Sequence, residues 1–382
     1  MDPNMKPSRG TISLSSADVG SEGGVTSTTG LRPSSRALTV AAILFGVIAV
    51  AGVTWAKWYP YTGKLAKLWG TRAWSGSSIL ATGSVAPRTA PSWHSAWSFA
   101  VAYGEDIWVA LAAAIVIAAA LEALVPPWRV AAMLTRRSRL GGTLVAGLAA
   151  LPAMMCTCCS APLTVTLKRS GVPTASALGF WLGNPVLNPA VLAFLALVAP
   201  WQWVLTRAVV GVILVLTVPY VATRLARGPA DSHAPSAIAT VDARPFDLGH
   251  APRRFLTALG RLAATLVPEY FAVVLLIGAF RSWLMPLGAD TVHWGLLAVL
   301  IAAVAGVLIV IPTAGEIPVL LGLAAVGTSP AVLGALLIAL PAISLPSMAM
   351  VGRSLAWKVV AVAAVAVVAF ALAGGGLLSA LS

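Results

Sequence analysis

Long apolar runs separated by short polar segments dominate this chain. The runs recur at a length of about 20 residues, enough to cross the roughly 30 Å hydrocarbon core of a bilayer. The pattern predicts an all-α polytopic membrane protein with about seven full spans and two re-entrant helical hairpins. The predicted spans cover residues 37–56, 107–125, 174–198, 201–222, 262–280, 331–351 and 359–378, and the predicted hairpins cover 141–167 and 297–326.

The polar segments divide the chain into predicted regions. Residues 1–36 are rich in Ser, Thr, Gly and Pro and predict a disordered cytoplasmic tail before the first span, 37–56. Residues 57–104 mix five tryptophans with basic residues, which predicts an external loop resting at headgroup level. Two permease repeats, 105–222 and 262–382, then flank a cytoplasmic linker loop at 223–261.

The charged residues add to this picture the orientation of the chain in the membrane. Charged residues make up 10% of the chain, against about a quarter in soluble proteins. The net charge of +13 comes from basic residues in loops, so it predicts contact with anionic lipid and no nucleic acid partner. The positive-inside rule places the loop with Arg136, Arg137 and Arg139 in the cytoplasm. We therefore expect a multi-pass protein of the cell membrane with a cytoplasmic N-terminus.

An internal repeat is visible without gaps. Residues 156–162, Gly171 and Pro185 align with residues 312–318, Gly327 and Pro341, each pair being 156 positions apart. Proline and glycine residues that recur at one fixed offset indicate a duplication.

The segment 141–167 shows how the two units are oriented. Pro152, the cysteines and Pro162 interrupt it, and Lys168-Arg169 follows at once. This favours a re-entrant hairpin that enters from the cytoplasm with residues 156–161 at its tip near mid-membrane, a kinked full span being the alternative. The second hairpin then opens from outside, and the two units are inverted-topology repeats with a substrate site between them.

All three cysteines, Cys156, Cys158 and Cys159, lie at this predicted tip beside Ser160. They are too close together for a disulfide framework. Thiolates are soft ligands, so the cluster predicts binding of a metalloid or soft metal ion. Inert buried cysteines are the alternative.

Polar groups near the proline breaks complete the predicted substrate site. Asn184 and Asn188 each precede a proline that frees a backbone carbonyl, and amides and carbonyls together can line a path. A kinked helix whose amides bind neighbouring backbone is the alternative. Ser344 corresponds to Asn188 in the second repeat, and Thr313, which corresponds to Thr157, is the polar group of the second tip.

Three carboxylates are predicted at membrane depth and are candidates for ion or proton coupling: Glu316, Glu122 and Glu269. Ionisable groups are costly there and are usually functional. Glu316 occupies the position of Ser160 in the second tip and is the leading candidate. A structural ion pair, for example with Arg281, is its alternative.

No catalytic constellation, cofactor motif or Gly-Lys-Ser/Thr phosphate loop occurs, so we predict neither an enzyme nor an ATP-driven pump. A channel, a permease for another small solute or soft metal ion, and a membrane thiol-redox or metal-delivery protein stay open as alternatives. The sequence gives no oligomeric state.

These motifs resemble one known group. The Cys-Thr-Cys-Cys tip at 156–159, Pro162, the Pro-Val-Leu-Asn-Pro run at 185–189 and Glu122 before Pro126-Pro127 are similar to the predicted permease family that includes the organoarsenical efflux permeases. The resemblance covers roughly residues 105–380. It implies export of trivalent organoarsenicals, driven by an ion or proton gradient, with the cysteines binding arsenic. Cys159 stands where that tip usually has Gly.

Overall fold

The computed structural model of this protein describes residues 35–74, 90–135, 138–226, 248–284 and 295–382. These residues form helices and no strand. The α-helices are α1 (Ser35–Val53), α2 (Tyr59–Thr71), α3 (Trp93–Leu124), α4 (Pro127–Leu134), α5 (Arg139–Ala150), α6 (Thr157–Arg169), α7 (Thr174–Val186), α8 (Pro189–Val198), α9 (Trp201–Leu225), α10 (Ala251–Leu284), α11 (Leu296–Leu308), α12 (Glu316–Ala325), α13 (Pro330–Ala342), α14 (Leu345–Leu355) and α15 (Trp357–Leu381).

Length and composition confirm the predicted all-α polytopic class. Among the described residues, six helical segments are long and apolar enough to cross a bilayer, and α13 with α14 makes a seventh that bends by 49°. The shorter apolar helices α5, α11 and α12 belong to the two regions predicted as hairpins.

The first of these regions is a re-entrant hairpin. A Cβ added to Gly179 would meet Thr143, and one added to Gly183 would meet Gly147 at 3.0 Å, so α5 runs beside α7 in the same direction. Such small residues let two helix backbones approach closely. α6 runs the opposite way, because the turn at Gly171 leads directly from its end into the start of α7. The start of α5 and the end of α6 therefore lie at the same end of the molecule.

The helices α3 and α5 to α9 have counterparts about 156 residues later, namely α10 and α11 to α15. α7 (Thr174–Val186) corresponds to α13 (Pro330–Ala342), and α9 (Trp201–Leu225) corresponds to α15 (Trp357–Leu381). The turns agree as well, since Gly171 has φ 83° and Gly327 has φ 82°. Left-handed φ values of this kind favour glycine. The duplication seen in the sequence is therefore a duplication of structure.

The two units approach each other from opposite ends of the molecule. Thr157, which begins α6, shares a hydrogen bond of 3.2 Å with Ser344, which precedes α14. From this point α6 and α14 run side by side. α14 continues from α13 and runs from the Thr157–Ser344 contact toward the same end of the molecule as α6. α13 therefore reaches this contact from the end opposite to the one at which α7 begins. The arrangement is that of inverted repeats.

One end of the molecule is rich in arginine. There the last turn of α3 meets the start of α10, where Glu122 binds Arg261 and its backbone carbonyl accepts a hydrogen bond from Arg254. Arg169, at the end of α6, interacts electrostatically with Glu122 and Arg261. We call this the arginine-rich end, and α1, α5 and α7 also begin near it.

Several predicted boundaries differ from the structure. The first helix does not end at residue 56 but continues through a π-helical turn, Thr54–Trp58, to Thr71. α3 begins at Trp93, inside the predicted 57–104 loop, and α10 begins at Ala251, inside the predicted 223–261 loop. Apolarity marks only the hydrocarbon part of a helix, whereas backbone hydrogen bonding continues into its polar ends. The predicted tail up to residue 34, and residues 75–89 and 227–247, lie outside the described residues.

Candidate functional site

The three thiols meet at the tip of the first hairpin. The Sγ atom of Cys156 lies 3.2 Å from that of Cys158 and 3.1 Å from that of Cys159, and all three lie within 4.8 Å of one another. The side chains are 6%, 1% and 0% exposed, so the cluster is occluded. Among the described residues, this is the cluster of soft donors that can hold one metalloid or metal ion.

Backbone geometry explains how three neighbours in sequence converge. After a short 3₁₀ turn, Met154 takes a φ of 49°, and Cys156 stands as the extended residue before α6. Cys158 and Cys159 then lie on the first turn of α6, which places their thiols around that of Cys156. The sequence predicted a non-helical tip for residues 156–161, but the structure starts the helix at Thr157. Pro162 fits inside the helix at the cost of one bond, since it has no N–H to offer Cys158.

Side chains from other helices hold this tip in place. Trp181 donates from Nε1 to the carbonyl of Thr157 over 3.1 Å, and Asn184 accepts from the backbone N–H of Met155 over 3.3 Å. The hydroxyl of Tyr103, on α3, lies 3.9 Å from the Sγ atom of Cys158. The Ser160 hydroxyl turns inward and donates to the carbonyl of Thr157. These contacts fix the tip against α3 and α7.

A lysine absent from the predicted site reaches into it. Lys57, on the π-helical turn between α1 and α2, is 6% exposed and donates to Thr313 over 3.1 Å and to Tyr61 over 3.2 Å. Its ammonium also interacts electrostatically with Cys156 and Cys159. Lys57 therefore stands between the thiols of one tip and the hydroxyl of the other. This corrects its sequence-based placement in an external loop, and its hydrogen bonds explain how a cation is accommodated there.

The second tip has carboxylate chemistry in place of sulfur. Glu316 begins α12 and forms a buried ion pair with Arg207 of α9, with Nη1 and Oε1 2.8 Å apart. Arg207 is 0% exposed and also donates to the carbonyls of Pro185 and Val186. The ion-pair partner of Glu316 in the structure is therefore Arg207.

The α7–α8 break explains why Arg207 is needed. Pro189 has no N–H, which frees the carbonyl of Pro185, and Ala190 donates its N–H to the Asn188 side chain, which frees the carbonyl of Val186. Unpaired buried carbonyls are costly, and the guanidinium fork satisfies both.

The two asparagines have mainly structural contacts. Asn184 binds the backbone at both ends of its amide, since Nδ2 donates to the carbonyl of Phe180. Asn188 caps α8 by accepting from Ala190 and Val191, and its Nδ2 is buried without a hydrogen-bond partner among the described residues. Ser344 caps α14 through a reciprocal contact with Ser347 and also meets Thr157.

The other two carboxylates, Glu122 and Glu269, have different surroundings. Glu122 is part of the arginine-rich end, where it pairs with Arg261 and is about one-third exposed. Glu269 is half-buried on α10 beside Tyr270, whose ring lies 6.1 Å from that of Tyr103. The structure thus brings the cysteines, Thr157, Ser344, Thr313 and Asn184 into one region and leaves Glu122 out of it.

Arg207 and Lys57 are the residues that sequence reasoning missed. Arg207 carried a signal, because a lone guanidinium within an otherwise apolar span is costly and needs a partner. Lys57 carried a weaker one, because a basic residue directly after an apolar run is usually interfacial.

Comparison with known proteins identifies the family. A family profile described as a predicted permease matches residues 92–380, three-quarters of the chain. The chain belongs to this predicted permease family. It is also 37% identical over 308 residues to the UPF0718 protein YraQ of Escherichia coli (strain K12), covering 79% of this chain and 84% of YraQ. No solved structure matches.

The matched range adds one structural point about this permease. It begins at Ser92, the residue that caps α3 by accepting a hydrogen bond from Ser95. Helices α1 and α2 precede it. Lys57 therefore reaches the tip from a helix outside the matched part of the permease.

Proposed function

We propose that this permease is a secondary exporter of thiophilic cargo, with trivalent organoarsenicals as its substrates. The observation that carries this proposal is the convergence of three buried thiols within 4.8 Å at the level where the two hairpins meet. Soft sulfur donors prefer soft centres of this kind. Membership of the permease family supports transport rather than catalysis.

The binding step is a ligand exchange at arsenic. An arsenical R–As(OH)₂ loses its two hydroxyl groups as water to two cysteine thiols and forms two As–S bonds, with no change in oxidation state. We propose Cys156 and Cys158 as these two ligands and Cys159 as a neighbouring thiol that can exchange with either of them. Ser160, Thr313, Asn184, Asn188 and Ser344 provide the polar lining. The reverse exchange with water releases the cargo on the other side.

The inverted arrangement supports alternating access around the thiols. Each hairpin opens toward its own end of the molecule, so rocking one unit against the other exposes a fixed central site to each side in turn. We propose that the arginine-rich end is cytoplasmic in the plasma membrane, in line with the positive-inside rule, which also leaves the N-terminus in the cytoplasm.

The ion pair of Glu316 with Arg207 is our candidate for coupling. It joins the second tip to the break in the first unit, so movement of one unit against the other must strain or break it. Protonating Glu316 as the pair opens would couple export to a proton gradient. Glu269 and Glu122 are secondary candidates for the same role.

The proposal is tested by arsenical export with and without the thiols. Everted membrane vesicles are energised, and their uptake of phenylarsenite and methylarsenite is measured by mass spectrometry of arsenic. We expect the Cys156→Ser/Cys158→Ser variant to lose uptake, whereas the control Ala161→Ser, which adds a hydroxyl to the same helix turn, retains it. Full uptake by the double variant at equal expression would refute the thiol mechanism.

A soft metal ion is the second candidate cargo, because three sulfur donors at this spacing also suit Cu(I) or Zn(II). The same vesicles distinguish the two. Thiol-dependent uptake of copper or zinc without uptake of arsenicals would replace our proposal, whereas uptake of arsenicals alone would support it.

The proposed inversion has its own test in a cysteine-free background. Single cysteines are introduced at Ser138, at the arginine-rich end, and at Val326, at the opposite end, and both positions are exposed. We expect a membrane-impermeant thiol reagent to label each from a different side of the membrane. Labelling of both from one side would contradict the inverted topology.

A further inference from the structure

A long apolar cavity runs beside the first hairpin and plays no part in the proposed transport step. It has a volume of about 740 Å³ and lies between α1, the end of α3, α4 and the hairpin. On α1 its wall extends from Leu38 to Trp58, which is about 30 Å of helix at 1.5 Å per residue. Among the described residues that line it, three side chains, Thr54, Trp58 and Arg129, carry a nitrogen or oxygen atom.

The inner end of the cavity is closed off from the thiols. Trp58 donates from Nε1 to the carbonyl of Pro152 over 3.0 Å, and both residues line this end. None of the three cysteines lines the cavity. A cargo molecule in the cavity therefore could not reach a thiol in this conformation, so the occupant must be something other than bound cargo.

The outer end of the cavity carries a positive charge. Arg129 follows the Pro126-Pro127 step at the arginine-rich end, and its guanidinium lies 5.2 Å from the centre of the Trp128 ring. It forms no salt bridge with another residue of the described chain. An exposed tryptophan beside a guanidinium is typical of the headgroup level, where guanidinium groups bind phosphate.

We propose that this cavity binds an anionic phospholipid, with an acyl chain lying along α1 and the phosphate on Arg129. The acyl chain of such a lipid matches the apolar wall of the cavity, and its phosphate matches the guanidinium of Arg129. The apolar wall excludes a polar solute, and the positive charge of Arg129 at the headgroup end favours an anionic lipid over a zwitterionic one. The chain end would rest against Pro152 and Ala153, so the lipid would support the turn that positions the thiols.

Lipid binding is measured on the purified full chain in detergent. Native mass spectrometry compares the retention of phosphatidylglycerol with that of phosphatidylcholine. We expect the wild type to prefer phosphatidylglycerol and Arg129→Gln to lose about fivefold of that preference. Arg72→Gln is the matched control, because Arg72 also lies over a tryptophan ring, at 5.1 Å, but outside the cavity.

A second pair of variants tests where the lipid binds. Ala42→Phe/Ala49→Phe fills the α1 wall of the cavity, whereas Ile43→Phe adds the same ring to an exposed position outside it. We expect the filled variant to lose both lipids and the control to keep them, and both variants to elute as folded protein in size-exclusion chromatography. Undiminished lipid retention in the filled variant, or an unchanged preference in Arg129→Gln, would overturn the proposal. Displacement of the lipid by phenylarsenite would also overturn it, because the cavity would then belong to the cargo.

Discussion

The two hairpin tips share a backbone design but differ in chemistry. Both follow a broken helix and lead through a left-handed glycine, Gly171 or Gly327, into a helix of identical length. The first tip carries three thiols, and the second carries a carboxylate paired with Arg207. The comparison indicates that duplication provided a common scaffold on which one copy acquired soft ligands and the other a charge pair.

The two tips also differ in how much of the helix that follows each of them is buried. All of α6 from Thr157 to Leu167 is buried, whereas only Glu316, Ile317 and Leu320 are buried on α12. A ligand site needs its donors held in place by surrounding groups. We infer that the first hairpin is the fixed part of the site and that the second is more free to move.

The largest expected effect comes from breaking the charge pair of the second tip. Arg207→Met leaves Glu316 and two backbone carbonyls buried without their partner, and we expect a loss of about 3–5 kcal/mol in the free energy of unfolding. Thermal and denaturant unfolding in detergent measure this loss. The double variant Arg207→Met/Glu316→Leu is the control and should recover part of the loss. A loss below about 1 kcal/mol would show that the pair is not a structural link.

The shared scaffold predicts equal costs in the two turns. Gly171→Ala and Gly327→Ala each place a Cβ at a φ near 80°, and we expect each to reduce the free energy of unfolding by about 1–2 kcal/mol. Gly322→Ala is the matched control. It lies in the interior of α12 with no atom within 4 Å of an added Cβ, so alanine there should be neutral or slightly stabilising. A large cost at only one turn would contradict the structural equivalence.

Lys57 tests whether the two tips act together. Lys57→Met removes the charge beside the thiols and the hydrogen bond to Thr313, and we expect the affinity for phenylarsenite to fall about tenfold. Isothermal titration of the purified protein measures this affinity. Lys67→Met, an exposed position on the same helical segment, should leave it unchanged. Equal affinity in both variants would remove Lys57 from the cargo site.

The smallest expected effect is at the direct contact between the units. Thr157→Val and Ser344→Ala each remove one partner of the inter-repeat hydrogen bond, and a double-mutant cycle should give a coupling of about 0.6 kcal/mol. Unfolding in detergent provides the four free energies. Additive effects with no coupling would mean that the contact contributes nothing to holding the units together.

Much of the fold was predictable because its signals are local. Apolar length predicted the spans, proline and glycine at a fixed offset predicted the duplication, and the breaks in 141–167 with the basic pair after it predicted the first hairpin. The cysteines were predictable as a cluster for the same reason. Helix ends were less predictable, because Tyr59–Thr71 and Trp93–Ala100 form helix in segments whose composition is mixed.

The site was predictable only where neighbours in sequence are neighbours in space. Glu316 was identified, but its partner Arg207 lies 109 residues away, and nothing in the local pattern links the two. Lys57 and Thr313 are separated by 256 residues, and a lysine after an apolar run has the same appearance whether it faces headgroups or a buried tip.

The sequence by itself determined the membrane class, the repeat and the sulfur chemistry. The length of an apolar run, the positions of proline and glycine, and the soft-ligand character of a thiol are all properties of individual segments. Only the tertiary structure decided which charges are neutralised and what stands beside the thiols. Burial makes an unpaired charge or carbonyl costly wherever it lies, so the fold must supply a partner from whichever helix packs there. That choice depends on how α1, α9 and α12 pack together, and no single segment encodes it.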